Sequence, residues 1–136
     1  MCGDRFEVAL METIHHHERF MRRTEEPAGD SQFRELTARI SGRLHDLRGD
    51  GWAHCLRPDH WAEPQALAAS LRAAGGDGIV YPSVRWPAGS AAALFWPDRI
   101  HLPILQSRTL QYHWDGQRVT RYFIIGEADW YAAPSP

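Results

Sequence analysis

The segment that most limits what this chain can fold into is Asp77 to Phe95, DGIVYPSVRWPAGSAAALF. Ile79 to Tyr81 is a short β-branched and aromatic run after Gly76 and Gly78, which predicts a buried strand. Pro82 has no N–H to give to a ladder, so the strand ends or becomes an edge there, and Ser83 falls at a strand end. After the Gly89 turn, Ala91 to Phe95 is a second apolar run. A hydroxyl and a guanidinium, Ser83 and Arg85, are thereby set where the chain bends.

Upstream, Phe6 to Thr24 has helical spacing. Leu10, Ile14, His17 and Met21 form one stripe that faces a core. Glu12 projects from nearly the opposite side, among Val8, Ala9, His16 and Phe20, which predicts a second covered face and a partly desolvated carboxylate. Glu25 to Asp30 contains Pro27 and Gly29 and reads as a solvated loop.

In Phe33 to Ile40, Leu36, Ala38 and Ile40 alternate with Glu35, Thr37 and Arg39, the period of a half-buried strand with the apolar set inward. Ser41 to Glu63 has no sustained period and reads as an irregular connection holding Leu44, Leu47 and Trp52 inward. Pro64 at a first helical position, Leu67, Ala68 and Leu71 on one face, and Gly75-Gly76 as a stop predict a short helix. Trp96 to Ser107 contains prolines and is expected to wrap the surface. Leu110 to Trp114, Asp115-Gly116 and Gln117 to Ile125 predict a hairpin with a type I′ turn, and residues 126–136 a loose tail. The 136 residues fit one domain.

Composition removes several functions. The formal charge is -2, so no broad basic field supports direct nucleic-acid binding. All 15 basic residues are Arg, which excludes a Schiff-base or P-loop lysine and leaves planar anion binders. Cys2 and Cys55 have no CxxC spacing, so neither a zinc knuckle nor a disulfide framework is expected, in keeping with a reducing cytoplasm. No run has the length of a membrane span, and the start lacks signal-peptide regions.

Taken alone, the candidate residues leave more than one reading. Glu12 and His16, four apart, share a helical face, but consecutive His side chains diverge by about 100 degrees and no HExxH occurs, so no metal site is expected. A helix glutamate is ordinarily ion-paired. Ser83 without a GxSxG elbow ordinarily bonds backbone. Arg85 can pair with Asp77 or Asp98, or grip a phosphate through its fork of donors.

The phrases ALMETIHHHERFMRRTEEP, LHDLRG, LRAAGGDGIVYPSVR, AAALFWPDRI and LQYHWDG occur in order, and together they resemble the successive blocks of the RES-domain family from about Phe6 to Gly116. That resemblance implies an α+β fold, a compact mixed sheet flanked by helices and similar to ADP-ribosyltransferases. It implies the toxin of a bacterial toxin-antitoxin pair that cleaves the nicotinamide–ribose bond of NAD+ as glycohydrolase or phosphorylase, or transfers ADP-ribose to a protein. NAD+ is then substrate, with no further cofactor. Glu12 and Ser83 take the catalytic positions; Arg85 and Tyr81 are the substrate-binding candidates. The implied partner is an antitoxin with a helix-turn-helix domain, and homo-oligomers are compatible with it.

Family members carry an Arg-bearing segment ahead of the Glu helix. This chain begins almost at that helix, so Arg5 is not given the family Arg's role, and an exposed sheet edge is expected. The alternative function is a non-enzymatic RES remnant that binds NAD+ or an antitoxin-like partner without turnover. A metal-dependent hydrolase using Glu12 and His16 is the weaker third reading.

Overall fold

A computed structural model of the chain describes residues 1–56 and 62–134. The chain forms two compact units, Met1–Ala9 with Ile40–His101, and Leu10–Arg39 with Leu102–Pro136. Helices and strands are not interleaved in a regular βαβ series, and the class is α+β, with the strands distributed over two four-stranded sheets.

In the first unit the sheet order is β1 (Cys2–Gly3), β5 (Ser90–Leu94), β4 (Gly78–Pro82), β3 (Leu44–Asp46). β4 is central. It runs antiparallel to β5, with Val80 opposite Ala92, and parallel to β3, with His45 opposite Ile79. Its backbone groups are laddered on both sides, but Ile79, Val80 and Tyr81 are half-buried and not fully buried as the apolar run predicts. Gly78 is needed for space: a Cβ there would lie 2.5 Å from the Ala93 carbonyl oxygen. The helix α2 (Ala62–Ala73) turns its half-buried residues Pro64, Leu67, Ala68 and Leu71 inward, as its spacing predicts. It stops where Gly75 adopts φ 81°, a left-handed value suited to glycine after a helix.

Within the stretch read as irregular, Leu44–Asp46 forms β3 and Asp50–Leu56 a 3-10 turn. Three residues are too few to display a period, and β3 is specified by its ladder to β4 instead. Leu47 is buried, and Leu44 and Trp52 half-buried, so the inward set is as expected. Residues 57–61 of that stretch lie outside the described residues.

In the second unit the sheet order is β2 (Gly29–Ile40), β6 (Ile100–Trp114), β7 (Val119–Ile124), β8 (Trp130–Ala132). α1 covers Phe6–Thr24, matching the predicted bounds; it enters this unit at Leu10. Leu10, Met11, Ile14 and Met21 are buried, as are Leu110, Tyr112, Trp114 and Val119. The stripe read from spacing is therefore a core face. Glu18 accepts the Val119 N–H at 2.8 Å, and Arg22 donates to the Gln117 carbonyl at 3.0 Å, fixing α1 to the β6–β7 hairpin. The helix ends at Glu25, whose φ is 53°, and the Glu26 N–H returns to the Met21 carbonyl at 3.1 Å.

Four expectations for this unit are corrected. The β2 alternation is present, but Leu36 and Ala38 are exposed, while Ser31, Phe33 and Glu35 take the half-buried positions. Phe33 stacks on Tyr112 with centroids 4.5 Å apart, and that aromatic contact decides which face is covered. Residues 101–107 are exposed, yet they belong to the first half of the long strand β6 and are not a loop. The hairpin connection has four residues, not two. Asp115 Oδ1 accepts the N–H groups of Gln117 and Arg118, both at 2.8 Å, and only Gly116 has positive φ within it. Those two donors hold the Asp115 carboxyl below its ordinary range. Of the stretch read as a loose tail, residues 130–132 form β8, with Tyr131 opposite Tyr122 and stacked on it at 5.2 Å.

Candidate functional site

Among the described residues, the buried positions are apolar, aromatic, Cys or Gly with two exceptions, Glu12 and Ser83. Burial of a carboxyl group and a hydroxyl is costly unless each is bonded or used, so these two positions need a physical account.

Ser83 lies directly after β4, in the first unit, and is 3% exposed. Pro82 ends the strand because it has no N–H, and the chain then turns tightly. The Ser83 N–H donates to the Gly89 carbonyl at 2.9 Å, the Gly89 N–H to the Trp86 carbonyl at 2.9 Å, and the Trp86 N–H to Ser83 Oγ at 3.0 Å. The hydroxyl thus acts as acceptor inside the turn, a common use of serine, and keeps its own proton to donate. Gly89 is buried, and the position has no room for a side chain, because a Cβ would clash with Val8 Cγ2 in the first turn of α1. Asp4 braces the same place: its N–H donates to the Ser90 carbonyl, and its Oδ1 accepts the Ser90 N–H, both at 3.0 Å. Tyr81 and Arg85, the two substrate-binding candidates, are half-buried on either side of Ser83 and belong to the same unit. Asp77 and Asp98 each pair with Arg99, at 3.3 Å.

Glu12 sits in the second unit, on α1, and is 9% exposed. Val8 is buried and Ala9 half-buried, whereas His16 and Phe20 are exposed, so the second covered face predicted for this helix extends over its first half only. Glu12 Oε2 lies 3.8 Å from His16 Nε2, an i,i+4 contact. The three consecutive histidines diverge as helix geometry requires. His15 and His16 meet edge to face, while His17 turns inward onto Phe33 at 5.0 Å. Burial pushes the His17 imidazole below its ordinary pKa, partly opposed by the Glu18 carboxylate. Among the described residues no group of three or more His, Cys, Asp or Glu side chains could hold a metal ion.

Sequence reasoning missed Asp4 and Gly89 as supports of the Ser83 turn. The signal was present in GS at positions 89–90, a glycine just before a strand, but the contact to Val8 is long-range and has no local trace.

Residues 2–115 match the family model described as RES domain, and the chain belongs to the RES-domain family. No curated protein and no solved structure gives a match. No described helix is long and apolar enough to cross a membrane.

Proposed function

We propose that this RES domain consumes NAD+ by cleaving the bond between nicotinamide and ribose, as the toxin of a toxin-antitoxin pair. The observation that supports the reading is that Glu12 and Ser83, the two buried polar side chains among the described residues, are the two to which the resemblance assigns catalysis. Nicotinamide departs with the electron pair of the C–N bond and leaves positive charge on the ribose. A carboxylate held out of water stabilises that oxocarbenium-like state more than one in bulk solvent does, and this is the role given to Glu12. The Ser83 hydroxyl, accepting from Trp86, has its proton available to orient the carboxamide or a ribose hydroxyl. Arg85 is assigned to the pyrophosphate, for which a planar fork of donors is suited, and Tyr81 to the ring systems of the substrate.

Attack by water at the ribose carbon gives ADP-ribose and releases a proton; attack by phosphate gives the ribose 1-phosphate of the same product. The family reading also makes an antitoxin with a helix-turn-helix domain the protein partner. Release of nicotinamide from NAD+ by the purified chain, followed by chromatography in buffers with and without phosphate, tests the reaction. Nicotinamide release with ADP-ribose or its phosphate as co-product is expected. NAD+ that binds a folded chain and is recovered intact would overturn catalysis and favour the binding-only alternative.

A further inference from the structure

Among the described residues β2 is an edge strand whose one neighbour in the sheet is β6. Contacts from Asp30 to Gln111 and His113, from Glu35 to Arg108, and from Thr37 to Leu105 descend β6 as β2 ascends, so the pair is antiparallel. β7 joins β6 only from Leu110 onward, where Leu110 faces Ile124. Residues 34–39 and 102–108 are therefore a ribbon of two strands, and all but Glu35 are exposed. The ribbon displays Leu102 at 84% exposure, Leu36 at 63% and Leu105 at 58%. Two strands alone are marginal in water, and a long free edge is a template for a further strand.

We propose that a second copy of this chain occupies that edge, β2 against β2, antiparallel about a two-fold axis that passes through Thr37. Charge complementarity selects both the occupant and the register. With Thr37 on the axis, Glu35 faces the second copy's Arg39, and Arg39 faces its Glu35, while Thr37 faces Thr37 and Leu36 faces Ala38. Opposite-charge and Thr–Thr pairs are favourable across strands. With Glu35 on the axis two carboxylates oppose each other; with Leu36 or Ala38 on the axis Glu35 or Arg39 faces threonine and the charges do not meet.

The present state of the two groups fits this pairing. Glu35 keeps only a long ion pair within its own sheet, Oε1 lying 3.7 Å from Arg108 on β6. Arg39 is exposed and has no ion pair among the described residues. Single charges on an edge strand ordinarily discourage pairing, whereas here one register turns them into two symmetric pairs.

Sedimentation velocity over a concentration series tests the proposal. The wild-type chain is expected to dimerise, and Arg39→Glu to raise the dimer dissociation constant about tenfold or more, since two ion pairs become two like-charge contacts. Thr37→Cys provides an independent reading: mild oxidation should link two chains through position 37, located by peptide mass analysis, while Leu36→Cys should not link through position 36. A wild-type chain that stays monomeric at every soluble concentration overturns the proposal, whether or not a strand of another protein binds the edge. So does a dimer that Arg39→Glu leaves intact and that Thr37→Cys does not cross-link.

Discussion

The Ser83 turn and the β2–β6 ribbon are built from similar sequence, short apolar residues alternating with polar ones, and end in opposite states. At the turn, the backbone groups of Ser83, Trp86 and Gly89 are bonded to one another, and glycine is used where a methyl group would strike Val8. On the ribbon, the side chains from Leu36 to Arg39 and from Leu102 to Arg108 meet water, and one backbone edge has no ladder. The difference lies in neighbours, not composition: β4 has strands on both sides, and this half of β2 has one. Alternation locates a strand; a third element decides which of its faces is core.

Equal insults to the two regions should therefore have unequal effects. The largest difference is expected from added volume. Gly89→Val overpacks a buried backbone against Val8 and should lower unfolding free energy by about 3 kcal/mol, the upper part of the overpacking range. Ala38→Val on the ribbon should change it by no more than about 0.5 kcal/mol. Urea midpoints of the two variants measure this directly, and equal losses would show that the ribbon is packed as the turn is.

Removing a hydroxyl is the next comparison. Ser83→Ala strips the Trp86 N–H of its acceptor at a buried position and should cost about 1–3 kcal/mol, whereas Ser107→Ala in exposed β6 should be near neutral. Thermal unfolding of the pair checks it.

The smallest effect is electrostatic and belongs to the covered half of the second unit. His17 is held neutral by burial, so its pKa in the folded chain lies below the ordinary value of about 6.5. As pH falls below that value the unfolded chain takes up the proton first. The contribution is present above about pH 6.5 and is lost as pH falls toward the depressed folded value. His17→Gln should flatten the fall in urea midpoint between about pH 7 and pH 5; an unchanged slope would show that His17 does not titrate differently on folding.

Much of this was legible in the sequence where the cause is local. The bounds of α1, the inward residues of α2 and the end of β4 at Pro82 follow from period, capping and proline chemistry. The burial of Glu12 was legible too, from Val8 and Ala9 one turn earlier. What was not legible depends on distant partners. β3 exists through its ladder to β4, β8 through its ladder to β7, and the covered face of β2 through Phe33 stacking on Tyr112. Likewise, Pro103 reads as a strand breaker in isolation, yet β6 continues through it in a stretch that β7 does not reach.

The central claim is that the carboxylate buried on α1 carries NAD+ cleavage. Its most direct test is the rate of nicotinamide release by Glu12→Gln beside the wild-type chain, with circular dichroism showing both to be folded. The substitution keeps shape and removes charge, so a fall on the order of a hundredfold or more is expected if the carboxylate stabilises the developing ribose cation. Equal release by the two proteins would contradict the assignment of Glu12.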